Sequence, residues 1–117
     1  MTDSPDTLRN YLRLIAKSGQ PVLYRDAAKA LRLEPPNTIH RLALMLESLI
    51  EEDARHNAPL IAALVISKQR NGLPAPGFFA KARELGLYHG PESGDQAREF
   101  HRHQFQQALE YWAADKQ

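Results

Sequence analysis

The chain has 117 residues, 43% of them hydrophobic and 25% charged, which suits one ordinary globular domain and excludes a fibrous or wholly disordered architecture. It has no cysteine, so disulfides, thiolate metal sites and a cysteine nucleophile are excluded too. The net charge of +1 is too small to announce a nucleic-acid partner, yet it is divided into blocks: +3 over residues 1–33, −4 over 34–53, +4 over 54–90 and −2 over 91–117.

Ser4 or Asp6 can cap a first helix over residues 5–18. Leu8, Tyr11, Leu12, Ile15 and Ala16 recur there at helical spacing, and Gly19 and Pro21 end it. Pro21 to Tyr24 form a short extended piece. Arg25 and Asp26 then open a two-turn helix with Ala27, Ala28 and Leu31 inward.

Pro35 and Pro36 stop that helix and start a third over residues 36–53. Ile39, Leu42, Met45, Leu46, Leu49 and Ile50 make a broad apolar face. Asn37, His40, Arg41, Leu44, Glu47, Ser48 and Glu51 project on the other side.

Leu60 to Ile66, bounded by Pro59 and Lys68, reads as a buried strand followed by a turn at Gln69 to Gly72. Pro74 and Pro76 each remove a ladder donor, so any return strand is expected to be short or irregular. A helix over Phe78 to Leu85 ends at Gly86, and a last one spans Asp95 to Ala114. Its apolar side carries Ala97, Phe100, Phe105, Ala108, Leu109 and Trp112. The expected fold class is mainly α with a small β component, as a single domain: a core over 5–75 and a C-terminal helical extension over 76–117.

Helix, short strand, short helix, longer helix, strand and basic turn, carried by Leu8 to Ala16, Val22 to Leu33, Thr38 to Ile50 and Leu60 to Arg70, resemble the winged-helix superfamily of DNA-binding domains. Pro21 to Tyr24, Ala27 to Leu33 and the proline-led run at Pro59 are also similar to the DNA-binding half of alkylguanine alkyltransferases and alkyltransferase-like proteins. Where that family has Pro-Cys-His-Arg or Pro-Trp-His-Arg, this chain has Pro59, Leu60, Ile61 and Ala62. The family's nucleotide-extruding arginine would fall near Asn37, so its repair chemistry does not carry over. Pro59 to Lys68 with Gly72, Pro74, Gly77, Phe78 and Phe79 is similar to a segment of small bacterial proteins.

The winged-helix resemblance implies that Asn37, Thr38, His40 and Arg41 meet base edges while Arg25, Lys29, Lys68 and Arg70 hold phosphates of duplex DNA. Against it stand Glu47, Glu51, Glu52 and Asp53, which place negative charge on the same helix. They motivate the alternative of a protein-interaction module that keeps the scaffold without the DNA contact. Leu44, alone on a polar face, suits packing on a neighbouring helix, a partner subunit or a thymine methyl.

Phe105, Tyr111 and Trp112 suit either packing on the first helix or a homodimer through the C-terminal helix. His101 and His103, two apart on a helix, diverge, so neither a metal nor a cofactor is expected. Residues 55–83 hold no acid for a metal nuclease and Gly72 to Gly77 is not a phosphate loop, so no enzymatic activity is expected. The longest apolar run, 58–67, is far short of the ~20 residues of a membrane span, and the acidic N-terminus is unlike a signal peptide. A cytoplasmic location is expected.

Overall fold

The computed structural model describes residues 4–114. Helix α1 is Pro5–Ser18, opened by Pro5 in its first turn and by Ser4, whose Oγ accepts the Thr7 N–H at 3.2 Å. Gly19, at φ +77°, closes it by donating to the Ala16 carbonyl. Strand β1 (Val22–Leu23) leads directly into α2 (Tyr24–Ala30). Helix α3 is Thr38–Arg55, α4 is Pro76–Glu84 and α5 is Asp95–Trp112. The fold is mainly α with a small β component, as expected.

Leu60 to Ile66 is where the structure departs from expectation. Ile61–Leu64 forms a buried 3₁₀ turn, and only Val65–Ile66 is a strand, β2. A short, wholly apolar run lacks the alternation that separates a strand from a buried helical segment. Here side chains decide: the Asp53 carboxylate accepts the Ile61 N–H at 3.0 Å, and Gln104 Oε1 accepts that of Leu60 at 3.2 Å. The donors a sheet neighbour would have taken are thereby satisfied within the helical framework.

Strand β2 pairs in parallel with β1, Val22 opposite Val65 and Leu23 opposite Ile66. Beyond it, Lys68–Arg70 winds into a second 3₁₀ turn. The Ser67 N–H reaches the Leu73 carbonyl, and Gly72, at φ +87°, donates back to the Ser67 carbonyl. No return strand follows among the described residues, so the chain after β2 makes a tight turn, short of even the irregular return strand expected. Pro74, which lacks an N–H, is fully buried behind it.

The core joins all five helices. Helix α5 lies along the 3₁₀ turn at 61–64 and along α1, while α3 contacts α1, α2 and α4. Phe78, Phe79, Tyr88 and Phe100 form an aromatic cluster between α4 and α5, with Tyr88 and Phe100 stacked at 4.6 Å. His101 sits beside Phe78, and its Nε2–H donates to the Ala63 carbonyl at 2.9 Å. No helix among the described residues is long and apolar enough to cross a membrane.

Candidate nucleic-acid interface

Helix α3 begins two residues later than its prolines suggest, because Asn37 takes a left-handed conformation at φ +61° and leaves Pro35 and Pro36 in the preceding loop. Asn37, Ile39 and His40 are exposed around this first turn and Thr38 is half-buried. Ile39 was expected inward but is 46% exposed. It lies beyond the end of the core that holds Leu42, Met45 and Leu46, the next inward positions.

Arg41 does not present its charge outward. Its guanidinium donates to the carbonyls of Glu34 at 2.8 Å and Pro36 at 2.9 Å, folding back on the loop before the helix. Arg70 is likewise engaged, donating to the carbonyls of Pro74 and Glu92. Both arginines brace loops, so exposed Asn37 and His40, with half-buried Thr38, make up the polar set at the helix start.

Arg25, Lys29 and Lys68 differ from those two. Lys29 and Lys68 are exposed with no ion-pair partner among the described residues, and Arg25 has only its neighbour Asp26, at 3.7 Å between exposed side chains. Such a pair is worth little in water. Arg25 and Lys68, each two residues beyond a paired strand end, both line an open groove of about 350 Å³. Leu23 and Ile66, at the ends of the two strands, meet Ile39 and Ala43 of α3 on its walls. The parallel pairing of β1 with β2 brings Leu23 and Ile66 together, and no local pattern in the sequence marks their meeting with Ala43.

Three acids of α3, Glu51, Glu52 and Asp53, occupy its other end and are paired inside the molecule. Glu51 accepts from Lys81 of α4 at 2.7 Å, and the Arg9 guanidinium of α1 contacts both Glu52 and Asp53 at 2.8 Å. The hydrogen bond from Lys81 holds the Glu51 carboxyl below its ordinary range. Glu47 Oε2 lies against Gly77 in the first turn of α4, where the helix dipole favours an anion. Three of the five acids in the block of negative charge read from the sequence are therefore compensated by Arg9 and Lys81, which lie outside it.

Leu44 is 51% exposed, so of the contacts it suits, packing on a neighbouring helix of the chain is not made, and a partner subunit or a thymine methyl stays open to it. The aromatic residues of α5 behave differently. Phe105 and Trp112 are packed against the core, and Trp112 Nε1–H donates to the Pro59 carbonyl at 2.8 Å while its ring lies 4.8 Å from the Arg9 guanidinium. Tyr111 beside it is 43% exposed. Compared with known proteins, the chain matches no family model, no curated protein and no solved structure at a significant level.

Proposed function

We propose that the chain binds duplex DNA without catalysing a reaction. In this reading the first turn of α3 approaches a groove, and Arg25, Lys29 and Lys68 hold phosphates. Support comes from one observation above the others: charge is segregated along α3. The first turn contains no acid, whereas Glu51, Glu52 and Asp53 are paired with Lys81 and Arg9. At 1.5 Å per residue, Thr38 and Glu51 are roughly 20 Å apart along the axis. That is more than twice the screening length of about 8 Å at physiological ionic strength, so the acidic end does not oppose the approach of a phosphate to the other.

Three exposed cations, Lys29 and Lys68 without an ion pair among the described residues and Arg25 weakly paired with Asp26, imply modest affinity that depends on salt. Each neutralised phosphate contributes about −0.9 to the slope of log K against log salt, so three give about −2.7. Fluorescence anisotropy on pooled duplexes at low salt, repeated with Lys68→Gln, tests the reading: binding is expected and the variant is expected to weaken it across all sequences. No binding at low salt would remove it.

A second reading, a protein-interaction surface, is favoured by the exposure of Leu44 on an otherwise polar helix face. It calls for a stoichiometric partner that Leu44→Glu releases. In it, homodimerisation through α5 would draw on the surface around Tyr111, which is 43% exposed, more than on Phe105 and Trp112, which pack against the core.

A further inference from the structure

We infer that the groove between the strand ends and the start of α3 is a binding site for a small apolar carboxylate, an aliphatic or aromatic acid. Its walls are the apolar side chains of Leu23, Ile39, Ala43 and Ile66, and its two cations, Arg25 and Lys68, belong to different elements, α2 and the 3₁₀ turn after β2. A volume of about 350 Å³ lies within the range of small-molecule sites, which are mostly apolar with a few polar groups that fix orientation.

Charge decides the class of ligand. Both ionic groups lining the groove are cations, and no carboxylate lines it. Asp26, the nearest acid to Arg25, interacts at 3.7 Å between solvent-exposed side chains and leaves the Arg25 charge available. A neutral apolar molecule would forgo both cations, and a polyanion with no apolar part, such as pyrophosphate, would leave Leu23, Ile39, Ala43 and Ile66 uncovered. An amphipathic monoanion satisfies both features, with its tail on the walls and its carboxylate at the rim.

The exposure of Ile39 and the half-buried state of Ile66 fit this occupant. They are apolar groups at the mouth of a depression, and a ligand there would take them out of water. Because Arg25 and Lys68 are also the proposed phosphate contacts, a bound acid would compete with DNA. That regulatory half rests on the DNA reading; the binding half does not.

Isothermal titration and ¹H–¹⁵N chemical-shift mapping with octanoate, octanamide and acetate, each as the sole probe, test the binding half. Octanoate is expected to bind, octanamide and acetate at least about tenfold more weakly, with shifts at Leu23, Ala43 and Ile66. Lys68→Gln and Arg25→Gln, both at exposed positions, are expected to weaken octanoate by severalfold while the far-ultraviolet circular dichroism is unchanged. No octanoate binding, equal binding of octanamide, or shifts elsewhere would overturn the inference. A competition assay on labelled duplex then separates the two halves. Octanoate binding without any DNA binding removes the DNA reading and leaves the ligand site standing; DNA that octanoate cannot displace removes the competition.

Discussion

Arg9 on α1 and Asp53 on α3 are joined at 2.8 Å, and Asp53 is only 2% exposed. The same carboxylate accepts the Ile61 N–H at 3.0 Å, so a single side chain ties α1, α3 and the 3₁₀ turn that replaces the expected strand. Removing it would leave the Arg9 side chain, 13% exposed, without its most buried partner and the Ile61 N–H without an acceptor. Asp53→Ala is expected to cost about 3–5 kcal/mol, the range for breaking a buried pair from one side. Urea denaturation measures this. A loss under about 1 kcal/mol would show that the contact is incidental.

Trp112 closes the same corner from α5. Trp112→Ala removes the bond to the Pro59 carbonyl and the ring over Arg9. The expected cost is about 2–3 kcal/mol, below that of a fully buried tryptophan because the ring is half-exposed. Run at several protein concentrations, the urea midpoints should shift by the same amount throughout. A loss that shrinks on dilution, because the unaltered chain is itself less stable when dilute, would assign Trp112 to an interface between copies.

His101 makes the fold sensitive to acid. Burial holds its imidazole below the ordinary value of 6.5, the Ala63 carbonyl opposes that shift, and Arg98 adds to it. For a base with a lowered folded pKa, the unfolded chain takes up the proton first. Its contribution to stability is therefore complete above about pH 6.5 and is lost as pH falls toward the folded value. Urea midpoints at pH 7.5 and 5 should differ more for the unaltered chain than for His101→Gln. Equal differences would assign the acid sensitivity to other groups.

Leu44→Glu places a charge on an exposed position, so stability should change by no more than about 0.5 kcal/mol. DNA affinity should fall if this face lies near phosphates and stay constant if it does not. Thermal denaturation and anisotropy on the same preparation give both values. A large loss of stability would contradict the exposure of Leu44.

The helices were legible because their signals are local. Ser4, Gly19 and Gly86 mark ends by capping chemistry, and Leu42, Met45, Leu46, Leu49 and Ile50 mark a face by spacing. The run from Leu60 to Ile66 was not legible as a 3₁₀ turn, because its donors are satisfied by Asp53 and Gln104, which are distant in sequence. The candidate site was legible in part. Arg25, Lys29 and Lys68 were singled out by charge and are the cations left unengaged or weakly paired, but charge alone does not distinguish them from Arg41 and Arg70, which bond to loop carbonyls. Leu23, Ala43 and Ile66 gave no sign of a site, since their convergence is a product of the strand pairing.

The most direct test of the central claim is the salt dependence of duplex binding for the unaltered chain and for Lys68→Gln. With three phosphate contacts, affinity should fall about 40-fold between 50 and 200 mM salt, from a slope of about −2.7, and Lys68→Gln should reduce that slope by about 0.9. A slope near zero, or one that Lys68→Gln leaves unchanged, would contradict the placing of DNA against the start of α3.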